Sequence, residues 1–145
     1  MAEKMIFTVN GFDEAIDLDT ALKSCLGKEA SFDREVECID RALETCLDKN
    51  PSTGGQVQCA TRAYELWDKK LNEVYTELNN KLSKKERMAL KSAQLQWLNY
   101  RNAEFKFIDS VYSFEKGSMN VSFNVQARLR LVRARVLELH RYSEE

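Results

Sequence analysis

Cys25, Cys38, Cys46 and Cys59 have the most chemistry open to them, and all four lie in the first 60 positions. A thiol can hold zinc, attack an electrophile or oxidise to a disulfide, and spacing separates these uses. The pattern is C-x12-C-x7-C-x12-C, without a C-x-x-C, and the one histidine, His140, lies 81 positions beyond Cys59. Structural zinc and redox pairs need partners a few residues apart, so neither a metal site nor thiol catalysis is expected. Two uses remain. Buried reduced thiols would act as small apolar groups, and disulfides would form in an oxidising compartment; the spacing favours disulfides.

Geometry then selects the pairing. Ser31 to Lys49 has helical periodicity, with Phe32, Val36, Ile39, Leu43 and Leu47 on one stripe. Cys38 and Cys46 would sit about 12 Å apart along that helix at 1.5 Å per residue. A disulfide tolerates Cα separations of only about 7 Å, so these two cannot pair. The turn Asn50-Pro51-Ser52-Thr53-Gly54-Gly55 is centred midway between Cys46 and Cys59. A hairpin about it joins those two, and Cys25–Cys38 is the second bridge. Closing each such loop is worth roughly 3 kcal/mol in the chain-entropy account.

Other catalytic constellations are missing from the sequence. It has no histidine placed for a triad, no glycine-rich phosphate cradle and no nucleophile elbow, so an enzyme is not expected. No cofactor is expected either. The net charge of −1 gives no reason to expect nucleic acid. That charge is divided, with residues 1–60 at −6 and residues 61–145 at +5, so an acidic head could face a basic protein. No apolar run reaches the 18 or so residues of a membrane span. Met5-Ile6-Phe7-Thr8-Val9 is too short for the apolar part of a signal peptide, so export would need a leader outside this sequence.

The elements that must position these residues are helical. Five glycines and one proline in 145 residues leave few breakers. Leu18–Leu26 is a short helix, with Gly27 as its closing residue, and Ser31 caps the next. Val57, Ala60, Tyr64, Trp67, Leu71, Val74, Leu78 and Leu82 then step by three or four. Ser83 and Glu86 have capping-box spacing and start a helix carrying Leu90, Ala93, Trp97, Arg101, Phe105 and Ile108 inward. It should end near Tyr112, before a loop over 113–120. The last helix, from about Val121 to Tyr142, carries Val125, Leu129, Val132, Val136 and Leu139. The expected fold is all-α: an antiparallel bundle of three long and two shorter helices, disulfide-braced in its N-terminal half. Residues 1–16 are expected to be a loosely held tail and 17–145 one helical domain.

Two long helices meeting at Leu82-Ser83 should form an antiparallel hairpin, whose facing residues have numbers of constant sum. Asp68 with Arg101, Asn72 with Trp97, Tyr75 with Gln94 and Leu71 with Leu98 all sum to 169. Asp68–Arg101 is therefore expected as a partly buried ion pair. Asn72 and Gln94 would satisfy neighbours such as the Trp97 indole or the Tyr75 hydroxyl.

These residues resemble the LprI-type lysozyme-inhibitor family of small secreted bacterial proteins. The likeness covers about residues 38–142 and rests on Asp68-x-x-Leu71-Asn72-x-x-Tyr75, then Gln94-x-x-Trp97-x-x-x-Arg101-x-x-Glu104. Weaker echoes fall at Gly117-Ser118-Met119 and Arg135…Glu138-Leu139. The family usually carries a cysteine where this chain has Phe105, paired to one near Asn124, so that bridge is lost here. The resemblance implies export to the periplasm or beyond, a helical bundle, and a protein partner such as a lysozyme or another peptidoglycan-acting enzyme. The candidate contact loops are Asn50–Gly55, in the acidic half, and Lys116, Gly117, Ser118, Met119 and Asn120. An immunity protein against a cell-wall-targeting toxin, or a structural or regulatory bundle, are the alternatives.

Overall fold

The computed structural model describes residues 16–144, so the tail expected over 1–16 lies outside the described residues except for Ile16, which opens the first helix. The elements are α1 (Ile16–Cys25), α2 (Phe32–Lys49), α3 (Thr53–Lys81), α4 (Lys84–Val111), a single 3₁₀ turn (Phe114–Lys116) and α5 (Asn120–Glu144). Among the described residues there is no strand, and three helices are long and two shorter, as periodicity requires.

Three serines start the helices that follow breaks in the pattern. Ser31, Ser52 and Ser83 each accept a backbone N–H three residues on, at 3.2, 3.0 and 3.2 Å. Ser83 also donates its own N–H to Glu86 at 2.8 Å, which completes the capping box. Gly27 does not take the left-handed conformation of a helix-closing residue; among the described residues only Gly117 has a positive φ. α1 instead ends at Cys25, whose carbonyl accepts from Arg34 Nη2, while the Leu26 N–H bonds the Leu22 carbonyl. The bridge to Cys38 turns the chain there, and no glycine-specific geometry is needed.

Both disulfides pair as the helix geometry requires, Cys25–Cys38 and Cys46–Cys59, with Cα separations of 5.5 and 5.8 Å. They staple α1 to α2 and α2 to α3. Further pins are Arg62 to Asp19, Lys70 to Glu35, and a two-pronged Arg133–Asp40 pair at 3.1 and 2.7 Å. Phe32 stacks on His140 at 3.6 Å between ring centres, joining α2 to the end of α5. The Arg62–Asp19, Arg133–Asp40 and Phe32–His140 contacts link helices that do not follow one another in sequence.

The core follows the α3 stripe, with Tyr64, Trp67 and Leu71 essentially fully buried against Val125, Val132, Val136 and Leu139 of α5. The closest helix neighbour of α3 is α5, not α4. The two run parallel: Trp67 lies under the Arg133 guanidinium at 5.5 Å, and Lys81 reaches the Ser143 carbonyl at 3.1 Å. Residue size explains the choice. Ala60, Ala63 and Val74 lie in one buried cluster with the branched residues of α5, and their small size allows close approach, whereas α4 brings Trp97, Arg101 and Phe105. α4 keeps the antiparallel register with α3, since Tyr64 and Phe105, which also sum to 169, lie 6.4 Å apart. Its inward row is as expected at Leu90, Trp97, Arg101, Phe105 and Ile108 and differs at one position. Gln94 is buried and Ala93 is exposed, because Gln94, Arg101, Phe105 and Ile108 share the buried face.

Candidate partner-binding surface

The turn between α2 and α3 is shorter and more fully occupied than its sequence implies. Thr53, Gly54 and Gly55 already belong to α3, so the six-residue loop shrinks to Asn50, Pro51 and Ser52. Asn50 is buried and spends its side chain on the Cys46 carbonyl at 2.8 Å. Gln56 Nε2 bonds the Leu47 and Asn50 carbonyls, both at 2.7 Å. A Cβ on Gly55 would lie 2.7 Å from the Asn50 Cβ, so the turn requires glycine there. Only Pro51 and Ser52 are left exposed. The strong cap at Ser52, which pulls the glycines into the helix, is the signal that loop composition hides.

The polar residues singled out by constant sum lie mostly at the junction of α3, α4 and α5. Arg101 is buried, packs over Trp97 and Phe105 at 5.9 and 5.3 Å, and donates to Asn102 Oδ1 at 2.8 Å. Burial raises the Asp68 carboxyl above its ordinary pKa, and the Arg101 charge opposes that shift, so the two are electrostatically coupled. Two other rungs differ from expectation. Gln94 accepts from Arg135 Nε at 3.0 Å, not from Tyr75, and Asn72 is exposed. Tyr75, Trp97 and Glu104 are half-buried, and Leu71 is in the core. Arg135 also lies 5.9 Å from the Trp97 ring centre, so two guanidiniums flank that indole. The arrangement holds helices together. Among the described residues no group of His, Cys, Asp or Glu is placed to hold a metal ion.

The segment between α4 and α5 has a different character. Its 3₁₀ turn presents Phe114, 69% exposed, and Gly117 follows with φ +141°, a conformation that favours glycine. The loop is held from several sides. Lys116 Nζ donates to the Ser110 carbonyl at 3.0 Å, and Asn120 Nδ2 to the Ser113 carbonyl at 3.2 Å. Beneath it, Asn124 Nδ2 donates to Asp109 at 2.9 Å, and Arg128 pairs with the same carboxylate at 2.5 Å. Burial pushes the Asp109 carboxyl up, but these hydrogen bonds and the Arg128 charge together hold it below its ordinary value. Arg128 also lies 4.5 Å over the Phe105 ring. This contact and Asn124–Asp109 tie α4 to α5.

Phe114, Tyr112, Glu115 and Val121 border an open depression of about 520 Å³. Because α3 and α5 are parallel, the Asn50–Ser52 turn and the Ser113–Asn120 loop share one end of the bundle. The sequence placed the second loop but passed over Phe114, Asp109 and Arg128, and singled out the neighbourhood of Asn124 only as the place of a missing cysteine. An aromatic in a polar, glycine-closed segment was the available signal.

A family model described as "Lysozyme inhibitor LprI" matches residues 46–139. The match begins at the second disulfide and runs through α3, α4 and most of α5, so it includes the polar junction and the Ser113–Asn120 loop. No curated protein matches the chain, and no solved structure does.

Proposed function

The chain belongs to the LprI lysozyme-inhibitor family, and on that premise we propose that it binds and blocks a peptidoglycan-cleaving enzyme in the cell envelope. The family match over residues 46–139 carries this reading. The contact end is the one formed by Ser113–Asn120 and Asn50–Ser52, with Phe114 as the apolar anchor. A cleft-blocking segment binds best when ordered beforehand, and the bonds around Asp109, Ser110 and Ser113 supply that order. Aromatic residues, phenylalanine among them, are enriched at protein interfaces. Two disulfides fit an oxidising, extracytoplasmic site of action, and among the described residues no helix is long and apolar enough to cross a membrane.

The test is lysozyme turbidity clearance on bacterial cell walls with increasing amounts of the intact chain. Inhibition should saturate at a fixed stoichiometry and be lost in Phe114→Ala without a change in thermal unfolding. Undiminished clearance at saturating chain, repeated with several classes of wall-cleaving enzyme, would overturn the reading.

A further inference from the structure

We infer that the end of the bundle formed by the α3–α4 turn and the last turn of α5 docks on an anionic lipid surface. Lys81-Leu82-Ser83-Lys84-Lys85-Glu86-Arg87 holds four bases and one acid, in a chain whose net charge is −1. All four bases are exposed, and among the described residues none of them is in an ion pair. Lys81 Nζ donates to the Ser143 carbonyl at 3.1 Å and Arg87 Nη1 to the Leu82 carbonyl at 3.0 Å. Neutral groups thus hold these two in place without cancelling their charge. Glu86, the one acid, is turned back on the Ser83 N–H at 2.8 Å in the capping box. Elsewhere the pattern is the reverse: Arg62, Lys70, Arg128, Arg133 and Arg135 each pair with a carboxylate.

The bases alone would suit any polyanion, and the surface beside them selects lipid. An open depression of about 460 Å³ lies at this end, lined by Leu78, Leu82 and Leu90 together with Lys81, Glu86 and Tyr142. Leu82 and Leu90 are only partly covered, and Tyr142 is 54% exposed. Leucines, a phenol ring and bases side by side match the layering of a membrane interface. There aromatic rings sit at headgroup level, and long basic side chains reach the phosphates while their stems lie on apolar ground. A phosphate polymer without acyl chains would leave the leucines facing water. Each base close to an anionic leaflet strengthens binding roughly fivefold.

The orientation follows from the parallel run of α3 and α5. α3 is 29 residues long and spans about 43 Å at 1.5 Å per residue, so end-on docking holds the Ser113–Asn120 loop roughly that far from the lipid. The two surfaces lie at opposite ends of the bundle, so lipid and enzyme can be held at once.

Co-sedimentation of the intact chain with vesicles tests this, with phosphatidylcholine alone compared to phosphatidylcholine containing phosphatidylglycerol. The chain should bind only the anionic vesicles, and less as salt rises. Lys84→Gln with Lys85→Gln should weaken binding about twentyfold at unchanged helical content. Lys49→Gln, at the other end of the bundle, should leave it unchanged. Tyr142→Ser should weaken it several-fold, and polyglycerol phosphate, which has no acyl chain, should displace little of the bound chain at equal phosphate. No binding at low salt, or equal binding to both vesicles, would overturn the proposal. So would equal losses in Lys49→Gln and the double lysine variant. Full displacement by the polymer, with Tyr142→Ser neutral, would reassign the patch to a soluble polyanion and overturn the lipid.

Discussion

The α2–α3 junction and helix α4 are held to the same bundle by different means. At the junction Cys46–Cys59, Asn50, Gln56 and the fully buried Trp67 row leave almost nothing exposed. α4 has no disulfide, and beside the buried Phe105 and Ile108 it is held by polar and cationic contacts: Gln94 with Arg135, Arg128 over Phe105, and Asp109 with Asn124 and Arg128. The first region is made rigid by covalent bonds and close packing, the second by pairings that each depend on one or two atoms.

The two tryptophans test this difference most strongly. Trp67→Ala should cost about 4 kcal/mol in denaturant unfolding, because a fully buried ring leaves a cavity. Trp97→Ala, half-buried on α4, should cost about half as much or less. Equal losses would break the comparison. Replacing Cys46 and Cys59 together by alanine should remove about 3 kcal/mol, the loop-closure contribution. Amide exchange should then quicken first in α2 and the start of α3, and a change confined to α4 would reverse the assignment of rigidity.

Gly55→Ala should cost about 2 kcal/mol, since the new methyl meets the Asn50 side chain at 2.7 Å and overpacks the turn. A neutral result would mean the turn has slack. Arg128→Ala should lower global stability by about 1 kcal/mol, while amide exchange at the C-terminal end of α4 rises more than anywhere in α3.

The smallest effect concerns acid. Asp109 is held below its ordinary value, so its stabilisation is complete above the unfolded value near 3.8 and is lost as pH falls through its lower folded value. Asp68 is raised, so its burial penalty is absent below the unfolded value and grows as pH rises toward the folded one. Acidification should therefore loosen the Ser113–Asn120 end while relieving the α3–α4 contact. Amide exchange compared above and below that range in Asp109→Asn should show the loop's acid response flattened, and an unchanged response would assign it to another group.

Much of the fold was legible in the residue order, and particular residues show why. Ser31 and Ser83 cap helices through bonds to N–H groups three positions on, a signal contained within one turn. The α3 and α5 stripes are equally local, and the disulfide pairing followed from helix rise and a turn centre. The family was legible too, from two motifs at fixed spacing. The expected contact loops were less so: Asn50–Gly55 had the composition of a loop, but the Ser52 cap and the close fit of Gly55 on Asn50 drew half of it into α3.

What the sequence by itself determined, then, is whatever is decided within a few residues: helix boundaries, buried stripes, and loops closed by thirteen-residue bridges. Only the tertiary structure decided that α3 packs most closely on parallel α5, that Gln94 answers Arg135, and that two distant loops share one end. Those outcomes depend on which helix faces which. Side-chain volume sets that choice, because small residues permit the close approach that Trp97 and Arg101 deny. Polar groups then take whichever partner the packing brings within reach, 41 positions away for Gln94 and Arg135 and 93 for Asp40 and Arg133.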